Sequence, residues 1–300
     1  MTRTQQIQTP ALDIACEIGG PAEAPAVVLL HGFPYDPRSF DAVVEILGAA
    51  GLRTIVPWLR GYGATRFRHP DTPRSGQQAA IGQDLLDLID ALHLQAPILA
   101  GFDWGARAAC IAAALRPERV RGLVTCGGYQ IQDIARAGEP VAPEQELRFW
   151  YQYYFQTARG RDGLAQGRAD LCRLLWQLWS PTWPFDAAAY AGAAASFDNP
   201  DFVEVVIHSY RHRMGNAPGD PRHAELETRL AGLPRIAVPT ISLHGDSDGV
   251  NPAQTSARHD KYFTARYERR VLPQVGHNPP MESPAAFAQA ILDLNAGDAE

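Results

Sequence analysis

Residues 96–105 read Ala96-Pro97-Ile98-Leu99-Ala100-Gly101-Phe102-Asp103-Trp104-Gly105. The first five form a short apolar run suited to a buried strand, and the alanine-rich stretch 106–115 that follows suits a helix. A Gly-x-nucleophile-x-Gly pentapeptide at a strand-to-helix junction reads as a nucleophile elbow. The turn is so tight that its flanking residues must be small, because a Cβ at either end would strike neighbouring backbone. The middle residue is then lifted above the sheet edge. Here it is Asp103, not serine, and that decides the chemistry. A carboxylate attacks an sp3 carbon and becomes an alkyl ester, which is afterwards hydrolysed. The plainer reading is that Asp103 caps the helix beginning at Trp104.

The remaining chain alternates strand and helix around this point. Residues 26–30 are a continuous apolar run, which predicts a strand buried on both faces. Weak alternation over 6–20 predicts an edge hairpin. Strands are predicted at 52–58, 120–125, 238–245 and 267–272, and helices at 39–51, 77–94, 255–262 and 284–294. Between 129 and 221 no strand pattern survives. Aromatic, helix-prone segments (144–157, 162–179, 186–196, 200–214) are separated by prolines instead. This organisation predicts an α/β fold with a mostly parallel central sheet, helices on both faces and an inserted helical cap. Residues 1–128 and 222–300 form the core and 129–221 the cap.

Composition excludes several classes. At 300 residues the chain can bury a full core. A net charge of -6 argues against nonspecific nucleic-acid binding. The four cysteines, Cys16, Cys110, Cys126 and Cys172, show no C-x-x-C spacing and read as free thiols. The polar stretch 1–9 shows no signal peptide, and no apolar run approaches the roughly 18 residues of a membrane span. A soluble, cytoplasmic protein with no membrane partner is expected. With no ligand cluster or phosphate loop in view, no metal and no cofactor is expected.

Three further stretches complete a site. His31-Gly32-Phe33-Pro34 follows the first buried strand. A loop there supplies one backbone N–H of an oxyanion hole, from Phe33, and Trp104 supplies the other. Gly245-Asp246-Ser247-Asp248-Gly249-Val250 offers two carboxylates at a strand end. Asp248 is preferred as the acid because it stands clear of the strand, and Asp246 reads as turn-stabilising. Val275-Gly276-His277-Asn278-Pro279-Pro280 offers a histidine after the last strand. The chain order Asp103, Asp248, His277 matches nucleophile, acid and base. The other eight histidines read mostly as surface residues.

On these residues the whole chain resembles the α/β-hydrolase superfamily, and the Asp-Trp-Gly elbow resembles its epoxide hydrolase and haloalkane dehalogenase branches. Tyr151-Gln152-Tyr153-Tyr154-Phe155-Gln156 is similar to the Tyr-Gln-x-Tyr-Phe-Gln cap stretch of soluble epoxide hydrolases. The resemblance implies that Tyr151 donates to the epoxide oxygen. Tyr210-Arg211 resembles the second cap tyrosine, although His208-Ser209 replaces the usual Asn-Trp before it. Arg60-Gly61-Tyr62-Gly63 is a loop widely shared in the family. Chemically, two phenols above a nucleophile donate hydrogen bonds to a developing alkoxide. His31, Pro34, Trp150, Tyr154 and Phe155 are expected to line the substrate pocket, with the other cap aromatics packing against the core. The implied reaction opens a small-molecule epoxide with water to a vicinal diol. Two alternatives stand beside it. A haloalkane or haloacid dehalogenase would use the same Asp103, but Phe33 offers no side-chain donor where haloalkane dehalogenases carry Asn. Arg107 keeps the haloacid reading open, while also reading as a helix-surface residue or half of a core ion pair. The other alternative is a non-catalytic binding protein on the same fold.

Overall fold

Apolar runs become the centre of one mixed sheet in the computed structural model, which describes residues 3–297. Residues 1–2, part of the polar N-terminal stretch, and 298–300, the end of the third segment, lie outside the described residues. The strands are β1 (Arg3–Gln8), β2 (Leu12–Gly19), β3 (Ala26–Leu30), β4 (Arg53–Pro57), β5 (Arg66–Phe67), β6 (Ile98–Gly101), β7 (Gly122–Cys126), β8 (Thr240–Gly245) and β9 (Tyr267–Leu272). Their order is β1-β2-β4-β3-β6-β7-β8-β9, with β5 paired to β2. From β4 through β9 every pairing is parallel, whereas β1, β2 and β5 pair antiparallel. β6, β7 and β8 are buried along their whole lengths, as strands covered on both faces must be.

The covering helices are α1 (Asp41–Ala49), α2 (Gln78–Ala91), α3 (Trp104–Leu115) and, after the last strand, α10 (Pro279–Glu282) and α11 (Pro284–Ala296). α2 packs on α3, which lies on β3, β6 and β7. α1 packs on α11, which lies on β6, β7 and β8. Between β7 and β8 come α4 (Pro143–Arg148), α5 (Trp150–Tyr154), α6 (Ala158–Trp179), α7 (Ala187–Ala194), α8 (Phe202–Arg213) and α9 (Ala224–Ala231). The single helix predicted over 144–157 is broken at Phe149, whose ψ of 8° leaves the helical range. α6 starts four residues earlier than predicted. Thr157 caps it, its hydroxyl accepting from the Gly160 N–H at 2.9 Å.

Two differences from the sequence reading have tertiary causes. The helix predicted at 255–262 is two 3-10 turns, 253–256 and 260–262. A segment this short nucleates poorly alone, and its polar groups are taken by the sheet. Ser256 Oγ meets His244 and Arg269, and His259 Nδ1 accepts from the Tyr129 N–H. α9, not foreseen, is tied to the start of α2 by Glu227, which accepts from the Ala79 N–H.

The inserted helices are packed onto the sheet by aromatic contact, not merely tethered to it. Phe33, at the sheet edge, lies within about 6 Å (ring centres) of Trp104, Phe155, Trp179 and Tyr210. Burying such rings contributes roughly 1.5–3 kcal/mol each. All four cysteines are free and buried. Among the described residues no helix is long and apolar enough to cross a membrane, and no group of three or more His, Cys, Asp or Glu is placed to hold a metal.

Candidate active site

β6 ends at Gly101 and α3 begins at Trp104, so the chain must reverse within Phe102 and Asp103, and the sharp bend falls on Asp103. Asp103 adopts φ +51°, ψ -123°, a conformation costing on the order of 1–3 kcal/mol for a residue with a Cβ. The glycines make room. A Cβ at Gly105 would fall on the Leu30 carbonyl, and one at Gly101 would lie 2.7 Å from the Gly105 carbonyl carbon. Gly32, on the facing loop, leaves space for the Asp103 side chain itself.

Asp103 does not cap its helix. Its Oδ1 instead accepts from the Phe33 N–H at 2.8 Å, while Oδ2 faces His277 Nε2 at 3.6 Å. That second distance is an electrostatic contact, too long for a hydrogen bond. On the far side of the imidazole, Nδ1 donates to Asp248 Oδ2 at 2.9 Å. Asp248 Oδ1 accepts from the Val250 and Asn251 N–H groups at 2.7 and 2.9 Å, which orients the carboxylate. Asp246 holds a turn, its Oδ1 accepting from Ser247 Oγ and the Gln274 N–H, both at 2.8 Å.

The His277 loop is held by a carboxylate that no motif pointed to. Glu282 accepts from the Gly276 N–H (2.6 Å), the Asn278 N–H (2.9 Å) and Ser180 Oγ (2.6 Å). Ser180, just past α6, in turn accepts from the His277 N–H at 3.0 Å. The Trp179 ring stands edge-on to the imidazole at 5.1 Å.

Electrostatics follow from this geometry. Burial alone would raise the Asp103 pKa, but facing His277, the Arg107 charge and the Phe33 N–H bring it below the usual carboxylate value. Burial alone would lower that of His277, yet the Asp248 and Asp103 carboxylates push it up to about 10. The resting site therefore holds an imidazolium between two carboxylates.

Tyr151 on α5 and Tyr210 on α8 stand above, ring centres 5.3 Å apart and nearly perpendicular. Both are buried, and both stay protonated. Burial, with the Asp103 charge adding to it, pushes Tyr151 up to about 12 and Tyr210 well above its ordinary value. The Gln152 amide donates to the Tyr151 hydroxyl at 3.3 Å, which leaves the phenolic proton free to be given elsewhere. A cavity of about 370 Å³ opens here, bordered by Asp103, Arg107, Tyr151, Arg213, Asp248 and His277. That is a volume suited to a small molecule.

Five expected pocket residues do not border it. His31 is fully buried and structural. Its Nδ1–H donates to the Gly32 carbonyl, Nε2 accepts from the Leu59 N–H, and burial pushes its pKa down to about 4. Pro34 is buried, and its carbonyl accepts from the Trp176 indole at 2.7 Å. Phe155, one turn beyond Tyr151, sinks beneath it into the Phe33 cluster. Trp150 and Tyr154 pack against each other at 6.1 Å, and the Tyr154 hydroxyl lies over Gly163 on α6. Successive side chains on α5 fan out by about 100°, so few of them share one outlook.

Trp104 is buried, and its indole N–H meets no acceptor among the described residues. Its backbone N–H is at the first position of α3, where helical N–H groups have no partner within the helix. His244 is buried rather than on the surface, 3.9 Å from Asp248. Arg107 is neither on the surface nor in an ion pair among the described residues; it is buried at the cavity wall. Its spacing of four from Asp103 was the available signal. Arg213 carried none.

A parallel sheet with a strained elbow at its carboxyl edge, followed by acid and base loops after later strands, is the α/β-hydrolase arrangement. The family model for the alpha/beta hydrolase fold matches residues 25–284, and the chain belongs to that family. Among curated relatives, Epoxide hydrolase 3 of Siraitia grosvenorii is 36% identical over 54% of this chain and 47% of its own length. Epoxide hydrolase A of Mycobacterium tuberculosis is 24% identical over 94% of this chain and 93% of its own. The chain thus spans about half the length, or less, of the curated relatives it matches at higher identity. A crystal structure from Klebsiella pneumoniae, described as a candidate epoxide hydrolase, is 46% identical with a TM-score of 0.95, covering 98% of this chain and 97% of that one.

Proposed function

We propose that this protein hydrolyses epoxides to vicinal diols through an ester on Asp103. The observation carrying the proposal is a poised carboxylate beneath two protonated phenols. The names of the relatives support it. Residues 129–221 act as the cap over a core of 1–128 and 222–300.

In the first step Asp103 Oδ2, the oxygen not engaged by Phe33, attacks an oxirane carbon. The carbon–oxygen bond breaks, and Tyr151 and Tyr210 donate to the departing alkoxide. Oδ1 stays at the Phe33 N–H and becomes the ester carbonyl oxygen. Ester formation removes the Asp103 charge, one of the interactions that hold the resting His277 proton. His277 gives that proton up, making good the one the tyrosines pass to the alkoxide, and is left as the neutral imidazole that acts as base. His277, oriented by Asp248, then takes a proton from water. The hydroxide adds to the ester carbonyl carbon, and the Phe33 and Trp104 N–H groups hold the oxyanion. Collapse expels the ester oxygen, which takes the proton His277 has just gained, so the diol leaves. The carboxylic acid left on Asp103 returns its proton to the imidazole, and the resting ion pair is restored. Water and a small-molecule epoxide are the only reactants required.

The same nucleophile would also displace a halide. The unpartnered Trp104 indole speaks for that reading, as does Arg107 at the cavity wall for a haloacid, while Phe33 has no side-chain donor for a halide. A binding protein would have no use for a strained elbow, an acid and a base together. The test is a substrate panel of epoxides and alkyl halides, with Asp103→Asn as blank and His277→Gln as trap. His277→Gln should gain the mass of one epoxide and release no diol. Oxygen-18 water in a single turnover should label Asp103 first. Label passing straight to the diol would overturn the ester mechanism.

A further inference from the structure

Two guanidinium groups border the cavity without an anionic partner. Arg107 stands one turn along α3 from Asp103 and is only 6% exposed. Its Nε is buried and makes no hydrogen bond. Arg213, at the end of α8, has Nε and Nη2 buried and equally unpartnered, with its guanidinium 4.4 Å from the centre of the Tyr210 ring. Neither forms an ion pair among the described residues, and both line the same space as Asp103 and Tyr151. Burying an unpaired cation costs several kcal/mol. Burial and the Arg213 charge together push Arg107 down to about 10.

The acids bordering this cavity are otherwise engaged or apart. Asp248 holds His277, Glu139 pairs with Arg136, and Glu146 accepts from Tyr153 and from the Val141 N–H. Asp133 pairs with neither arginine. Asp103 is held by Phe33 and His277, and in the proposed cycle its charge disappears on ester formation.

We propose that Arg107 and Arg213 form an anion subsite, and that the preferred substrates are epoxides bearing a carboxylate on or next to the ring. The inference rests on the epoxide reading above and names its substrate class. Arg107 follows Asp103 by about one turn of chain and borders the same cavity, and its charge acts on the Asp103 carboxylate, so an anion held by Arg107 lies close to the carbon that Asp103 attacks. Two cations also offset the repulsion such a substrate would meet from the Asp103 carboxylate. A planar guanidinium matches a carboxylate in both shape and charge.

The test compares kcat/KM for 3-phenylglycidate and its methyl ester in wild type, Arg213→Gln, Arg213→Lys and Arg107→Gln. Wild type should favour the acid. Arg213→Gln should lower the acid-to-ester ratio by about tenfold to a hundredfold, chiefly through KM, the size expected for a charged hydrogen bond. Arg213→Lys should restore part of it. Arg213 is only half-buried on the roof, so its variants provide the test should Arg107→Gln fail to fold. A ratio unchanged in Arg213→Gln, with both substrates turned over, overturns the subsite and leaves the epoxide reading standing. If wild type hydrolyses neither compound but turns over other epoxides of the panel above, the preference for ring carboxylates is overturned; if it hydrolyses none of them, the epoxide reading fails. Calorimetry then reads the subsite alone, with 3-phenylpropanoate expected to bind at least tenfold more tightly than 3-phenylpropanol. Equal binding overturns it.

Discussion

Replacing Asp248 with asparagine isolates the second half of the proposed cycle. Oδ1 of Asp248 is held by two backbone N–H groups, so the amide oxygen of asparagine should stay there. Its NH2 then faces His277 Nδ1, where Oδ2 now stands at 2.9 Å. Two losses follow. A donor opposite Nδ1 requires that nitrogen to be unprotonated, which puts the proton on Nε2, the atom that must accept one from water. The imidazolium formed in that step also loses a full charge at 2.9 Å, worth roughly 6 kcal/mol at an effective dielectric of about 20. A tautomer-reversing Asp→Asn change in a serine-protease triad costs about 10⁴-fold, or about 5.5 kcal/mol, so the two estimates agree. Attack by Asp103 does not need Asp248. The variant should therefore alkylate once and stall, with steady-state turnover down about 10⁴-fold. Rapid quenching with intact-protein mass spectrometry reads both features. Turnover within about tenfold of wild type, with no adduct, would refute the assignment of acid and base.

Tyr151→Phe and Tyr210→Phe should each slow ester formation from an epoxide by about 10²–10³-fold and leave hydrolysis of the ester unchanged. An equal loss on an alkyl bromide, in stopped-flow tryptophan fluorescence, would mark the phenols as packing groups. The raised His277 pKa adds stability that is complete below the unfolded value near 6.5 and is lost as pH rises through about 10. The depressed Asp103 pKa adds stability present above its unfolded value and lost as pH falls through the folded one. The Tm advantage of wild type over His277→Gln should accordingly shrink between pH 7 and 10; parallel curves would contradict a resting ion pair. Gly105→Ala, pressed onto the Leu30 carbonyl, should cost about 3 kcal/mol in denaturant unfolding. Gly48→Ala, on α1 with open space around its Cβ position, should gain about 0.5–1 kcal/mol.

Much of the site was legible because its signals are short-range. The elbow needs glycines one turn apart, where any Cβ meets backbone. Asp248 follows a plainly apolar strand, His277 follows a more weakly signalled one with three charged residues at its centre, and chain order gave the expectation of acid and base. The face that each inserted residue presents was not legible. Tyr151 and Phe155 differ by one turn of a five-residue helix, yet one borders the cavity and the other underlies it. His31 looked like a pocket residue and is a buried hydrogen-bonding post.

The amino-acid order alone determined the α/β architecture, the carboxylate at the bend and the Asp248 and His277 loops behind it, because apolar runs and tight turns are set by neighbouring residues. Only the tertiary structure decided what surrounds that carboxylate. α8 brings Arg213 to the cavity and Tyr210 onto Trp104 of an elbow about a hundred residues earlier in the chain, and packing across that separation leaves no local pattern to read.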